Sequence, residues 1–199
     1  MGKFESAFKL DDRVGLHSAM KELHSHCGEN LRKASAGDLD SQTLRGRLET
    51  IRRLIGADTP YRVYYTDLGG FDTHAGQEFA HQALLAELSQ AIAGFLRNLK
   101  AARLDRRVLV LAYSEFGRRL DENASGGTDH GTAAPTLIAG PAVKGGLLGT
   151  APDLKNLDDA GDPRFTTDFR DIYAKLLKTW LKIDPTPILG ERKPALEIV

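Results

Sequence analysis

A chain of 199 residues is long enough for one ordinary domain with a real core. Lys plus Arg and Asp plus Glu both number 27, so the formal net charge is zero and no bulk attraction to nucleic acid or an anionic membrane is expected. The single cysteine, Cys27, excludes an internal disulfide, no apolar run is long enough to span a bilayer, and the N-terminal MGKFESAFKLDDR has no apolar signal core, so the chain reads as soluble.

In chain order, residues 1–40 read as a poorly organised N-terminal segment and linker. A short helix fits Leu16 to Cys27, and the polar GENLRKASAGDLDS follows it. Residues 41–199 read as the domain proper. Ser41 or Asp40 is placed to cap a helix through Ile55, with Leu44, Leu48, Ile51, Leu54 and Ile55 on one face. After Pro60, RVYYT has the β-branched and aromatic content of a strand, ended by Gly69 and Gly70. A long amphipathic helix is expected from Ala75 to Ala102, where Leu84, Leu88, Ile92, Phe95 and Leu99 recur at helical spacing. RRVLVLAYS is an unbroken apolar run of the kind found in a parallel strand covered on both faces. A Gly-rich loop leads to TLIAG, a further strand. Thr167 or Asp168 then caps a last helix through Lys182, with Phe169, Ile172, Tyr173, Leu176, Leu177 and Trp180 inward.

Strands alternating with long helices argue for an α/β layered sheet. Ligands of such sheets sit beyond the carboxyl ends of the strands. Asp72 and His74 follow the first expected strand, Glu115 follows the second, and Asp129 and His130 lie in the loop after it. All five fall at the expected edge. Asp72 and His74, two apart, point to one side of an extended segment and can share a metal. Asp-x-His alone is equally a turn aspartate beside a hydrogen-bonded histidine. Glu115, at the end of an apolar run, needs a partner, either a metal or Arg118 or Arg119. Arg118 also suits a bidentate grip on an oxyanion, while Arg119 reads as surface charge. Gly126, Gly127 and Gly131 permit the sharp turn that would aim both Asp129 and His130 at one point; the competing reading is a surface Asx turn.

The other candidates are weaker. His81, seven residues beyond His74 on the long helix, suits a surface or supporting hydrogen-bond role better than ligation. The HSHC run of His24, His26 and Cys27 has no matching second pair, so a structural role is preferred. KGGLLG is no phosphate loop, because no Gly-Lys-Ser/Thr follows.

The blocks GGFDTHAGQ, LVLAYSEFGRRLDENASGGTDHGTAAPTLIAG, GGLLGTAPDL and TTDFRDIYAKLLKTWL resemble, in order over residues 41–192, a large bacterial family. It is domain of unknown function 1501, within the alkaline phosphatase and sulfatase superfamily. The resemblance implies an alkaline-phosphatase-like α/β/α sandwich with a mainly parallel sheet, of which this chain carries the C-terminal half and lacks the N-terminal strands. It implies metal ligands at the carboxyl edge of that sheet. Asp72 and His74 look like the ligands of one metal. Glu115 stands where the superfamily has an Asp-His pair, with His130 as the late histidine; alternatively, Asp129 and His130 are themselves that pair. Relatives are usually longer, with a twin-arginine signal for export to the periplasm and an N-terminal strand carrying an Asp ligand and the nucleophile region. No such strand is evident before residue 41.

The leading expectation is therefore a metal-dependent hydrolase of phosphate or sulfate esters, or an incomplete one, acting on a small anionic ester. Its cofactor is a divalent metal, with zinc favoured over manganese, magnesium, calcium or iron. Asp72, His74, Glu115, Asp129 and His130 are the ligand candidates. Arg118 is the oxyanion candidate, and Ser114 is a poorly supported nucleophile. The alternative is a non-catalytic metal-binding or interaction protein of the same fold, with homo-oligomers forming through an exposed sheet edge. A two-histidine-one-carboxylate iron oxygenase ranks last, because its usual β-barrel setting conflicts with the strand–helix alternation.

Overall fold

The computed structural model of the chain describes residues 42–192 and 196–199. The expected helix at 16–27, the HSHC run, the linker and the two proposed cap residues Asp40 and Ser41 lie outside the described residues. The chain divides into two compact units, one ending at Thr66 and the other running from Asp67 to Val199.

In the first unit, helix α1 (Leu44–Gly56) is capped by Thr43, whose extended backbone lets its hydroxyl accept the Gly46 amide at 3.1 Å. Leu44, Leu48 and Ile55 are its buried residues, at intervals that fall on one helical face. On its surface, Glu49 pairs with Arg52 at 2.6 Å and Arg53 at 3.3 Å. The Arg52 hydrogen bond holds the Glu49 carboxyl below its ordinary value. α1 ends in a Schellman pattern: Asp58, at φ 54°, donates to Ile55 O, and Thr59 N donates to Leu54 O. The expected RVYYT strand does not form. Val63 and Tyr65 are exposed, and the Tyr64 hydroxyl pairs with Thr59 Oγ1 at 2.8 Å. Strand-prone side chains stabilise a strand only against a ladder partner and a covered face, and this segment has no ladder partner among the described residues.

The second unit opens with an irregular stretch that leads into α2 (Gln77–Ala101). Gly76 precedes α2 with φ 52° and no side-chain cap. The orphan amides of Gly76 and Gln77 instead donate to Ser125 O and Gly126 O, at 3.0 and 2.9 Å. Only the second half of α2 reaches the core. Ala91, Ile92, Phe95 and Leu99 are buried, Leu84 and Leu88 are half-buried, and Phe79 is exposed. A second Schellman pattern closes it, with Arg103 at φ 59° and Leu104 N bonded to Leu99 O.

A turn of 3-10 helix (Asp105–Arg107) leads to β1 (Val110–Ala112). β2 (Gly117–Arg118), β3 (His130–Gly131) and β4 (Leu137–Ala139) follow. β1 pairs antiparallel with β4, with Leu111 opposite Ile138, and β2 pairs antiparallel with β3, with Arg118 opposite His130. The unit thus mixes helix and strand, but its ladders among the described residues are two-stranded and antiparallel, unlike the expected parallel sheet. The reason lies in the connection. A parallel return needs a crossover, usually a helix, whereas residues 113–136 contain only the short β2 and β3. β1 is accordingly half-buried rather than covered on both faces.

Asp168 caps α3 (Phe169–Leu176) by accepting the Arg170 amide at 2.9 Å. A π-helical turn (Leu177–Leu181) follows, ended by Lys182 at φ 56°, and then the short α4 (Thr186–Leu189). Ile172, Leu176 and Ile198 form a buried cluster, with half-buried Leu109, Leu111, Ile138, Leu196 and Val199 against it, so α3 packs on the β1–β4 ladder. Phe169, expected inward, is 59% exposed and meets Tyr173 edge-on. Burial, with Tyr113 alongside, pushes the Tyr173 hydroxyl up to about 12.

Candidate metal centre

Two loops build the site. The first, Phe71 to Gly76, leads into α2, and the second, Asn123 to Gly131, leads into and through β3. Besides the two amide bonds at the start of α2, Thr128 Oγ1 donates to Gln77 Oε1 at 2.9 Å and Asn123 Nδ2 donates to His74 O at 3.0 Å. The backbones approach closely. A Cβ on Gly127 would stand 2.6 Å from the His74 carbonyl carbon, and a Cβ on Gly131 would stand 2.6 Å from the Arg118 carbonyl carbon. Only glycine fits either position without a shift of main chain.

The stitched loops bring together Asp72, His74 and His130, whose ligand atoms lie within 4.8 Å of one another. Asp72 Oδ1 is 2.6 Å from His130 Nε2 and 3.0 Å from His74 Nε2. All three side chains are exposed. Hydrogen bonding from His130, then from His74, holds the Asp72 carboxyl below its ordinary value. The His130 ring stacks on Phe116, with centroids 3.9 Å apart and planes at 6°.

Asp129 does not join the three. Its Oδ1 meets the other nitrogen of His74, Nδ1, at 3.1 Å, and Asn123 Nδ2 donates to the same oxygen at 3.3 Å. These two bonds, His74 first, lower the Asp129 carboxyl. One imidazole thus stands between two carboxylates, with Nε2 toward the cluster and Nδ1 toward Asp129. Glu115 is exposed and lies outside the cluster.

Arg118 bonds two main-chain carbonyls and one hydroxyl. One terminal nitrogen donates to Thr128 O at 2.5 Å, and the other donates to Phe71 O and, at 3.3 Å, to Thr73 Oγ1. Its guanidinium carbon lies 5.1 Å from the Phe116 ring centroid. Arg119, read from the sequence as surface charge, pairs instead with the buried Asp162 at 3.2 Å and donates to Ala160 O. His81 meets Phe71 edge-on at 5.6 Å. Ser114 Oγ accepts the Phe116 amide at 3.5 Å.

Sequence reasoning missed Asn123. Its Oδ1 accepts the Ser125 and Gly127 amides at 2.9 and 3.2 Å while its Nδ2 serves the first loop. The signal was available, because an Asn with a Ser two residues on and paired glycines after it is an Asx-turn pattern. It also missed Phe116, whose place beside a candidate histidine has no sequence signature.

A mixed helix-and-strand domain bearing one carboxylate and two imidazoles on stitched glycine loops is the class that fold and site define. Within that class, the chain belongs to the family described as "Protein of unknown function (DUF1501)", whose profile matches residues 4–190. Neither a curated protein nor a solved structure matches the chain.

Proposed function

We propose that Asp72, His74 and His130 hold a divalent metal ion, and that the site hydrolyses phosphate or sulfate esters in the manner of the alkaline phosphatase and sulfatase superfamily. The observation that carries this reading is the convergence of three ligand atoms within 4.8 Å from loops almost sixty residues apart. One carboxylate oxygen and two imidazole nitrogens are the donor set of catalytic zinc sites, which keep a position open for water or substrate. A metal so bound polarises an ester oxygen and lowers the pKa of a coordinated water. Asp72 brings negative charge to the cluster, and its lowered carboxyl keeps that charge in mildly acidic solution. An open groove of about 590 Å³, lined by Gln77, His81, Arg118 and Thr128 among others, lies beside the second loop, but Asp72, His74 and His130 do not line it, so it carries no part of this reading.

Elemental analysis and zinc titration of the wild-type chain, His74→Ala and His130→Ala test the metal centre. The wild type should hold zinc and both variants should lose it; equal metal in all three refutes the reading. Metal-dependent turnover of a phosphate or sulfate monoester tests the reaction. Bound zinc without turnover would favour the non-catalytic metal-binding alternative.

A further inference from the structure

We infer that Arg118 is the positioning residue of this centre: it sets the distance between the two ligand-bearing loops and so governs metal affinity without touching metal or substrate. The inference rests on the metal-binding reading above.

Arg118 lies between the ligand sets. On one side it donates to Phe71 O and Thr73 Oγ1, which flank Asp72 and precede His74. On the other it donates to Thr128 O, two residues before His130. Its own backbone is the antiparallel partner of His130, and Arg119 N bonds Asp129 O at 3.0 Å. One side chain therefore bonds both loops, and its strand holds the third ligand. The planar guanidinium suits this role, because its forked donors reach separate acceptors at a fixed spread. A lysine ammonium is a compact point charge on a flexible stem and does not hold three acceptors at that spread. With its terminal nitrogens on these acceptors, Arg118 is occupied as a brace rather than presented as an oxyanion clamp.

The sign of the effect separates this role from simple charge. A cation beside a dication site opposes metal binding by Coulomb repulsion. If charge alone mattered, Arg118→Met would bind metal more tightly and Arg118→Lys would match the wild type. The brace predicts that both bind more weakly. Supporting residues around metal ligands typically govern about 10- to 100-fold in affinity.

The test is zinc affinity by chelator competition, together with the visible absorption of the cobalt-substituted full chain, for wild type, Arg118→Lys, Arg118→Met and Arg119→Met. Circular dichroism establishes the fold of each. The expected result is weaker zinc binding by about 10- to 100-fold in both Arg118 variants, a changed cobalt spectrum, and wild-type zinc affinity and cobalt spectrum in folded Arg119→Met, whose loss of the Asp162 pair costs stability only. Wild-type affinity and spectrum in Arg118→Lys, or tighter binding in Arg118→Met, overturns the inference. If neither Arg118 variant folds, Thr73→Val removes one acceptor of the brace; a several-fold weaker affinity supports the inference and an unchanged one overturns it. Failure of the wild type to bind zinc is a different result, and it refutes the metal centre itself.

Discussion

Gly127→Ala puts the stitched-loop geometry to a quantitative test. The added Cβ would lie 2.6 Å from His74 C, 2.7 Å from His74 O and 2.8 Å from Ala75 N. All three are backbone atoms, so no side chain can rotate away. Opening the closest approach to an ordinary 3.4 Å moves one loop from the other by about 0.8 Å. A shift of that size taken up along the 3.1 Å contact of Asp129 with His74 would lengthen it to as much as about 3.9 Å, beyond hydrogen-bond range. Overpacking of this kind costs about 1–3 kcal/mol, a fall in Tm of about 2–12 °C for a chain of this size. Zinc affinity should fall by about tenfold or more, because His74 loses the carboxylate that orients it. Gly69→Ala is the control, since nothing lies within 4 Å of its would-be Cβ; it should change stability by less than about 0.5 kcal/mol. The measurements are thermal unfolding by circular dichroism and zinc titration against a chelator. If Gly127→Ala matches Gly69→Ala in both, the close approach does not position His74 and the reasoning is wrong.

Three further outcomes are expected. Thr43→Ala removes the cap of α1 and should destabilise the chain by about 1 kcal/mol in urea unfolding, with Thr43→Ser restoring it. Leu99→Ala, at a fully buried position, should cost about 2–5 kcal/mol and shift the urea midpoint, whereas Leu85→Ala, nearly half exposed, should shift it little. Asp168→Asn should keep the cap of α3 but lose the ion pairs to Arg170 and Arg192, at 2.5 and 2.7 Å. The Arg170 hydrogen bond holds the Asp168 carboxyl well below the usual carboxylate range. Its stabilisation is therefore present above the unfolded value near pH 4 and lost as pH falls toward the folded value. The difference in Tm between wild type and Asp168→Asn should be largest near neutral pH and shrink on acidification; a difference that does not vary with pH would contradict that assignment.

Helices were legible where the apolar period was long. The Ala75–Ala102 pattern differs from the observed Gln77–Ala101 by only a residue or two at each end, and Asp168 was one of two caps foreseen for α3. The strands were less legible. An apolar run such as VLVLA states that it will be covered but not which segment will pair with it or in which direction, and RVYYT carries strand-prone side chains without a partner. Within the candidate site, Asp72, His74 and His130 were visible because ligand types beside glycines are conspicuous. The separate place of Asp129, behind His74, depends on which imidazole nitrogen faces which carboxylate, and spacing does not encode that. Two of the three partners of Arg118 are main-chain oxygens, which have no residue identity to read.

The exposure of the cluster decides where its order comes from. Side chains of Asp72, His74 and His130 are 65%, 49% and 45% exposed. Burial therefore does little to hold them, and their mutual hydrogen bonds are screened by water. Ligands left free on the surface would lose rotamer and loop entropy on binding a metal. Here part of that entropy is already lost in features of the loops rather than of the ligands. The Gly127 and Gly131 backbones leave no room between the segments, Asn123 joins the two loops, Arg118 bonds both, and Phe116 covers one face of the His130 ring. It follows that substitutions should separate into two groups. Changes in the α3 core at Ile172 or Leu176 should lower stability with little effect on metal affinity per folded molecule. Changes at Arg118, Asn123 or Gly127 should lower affinity by more than their cost in stability accounts for. Metal affinity that simply tracked stability across both groups would place the order of the site in the global fold rather than in the loops.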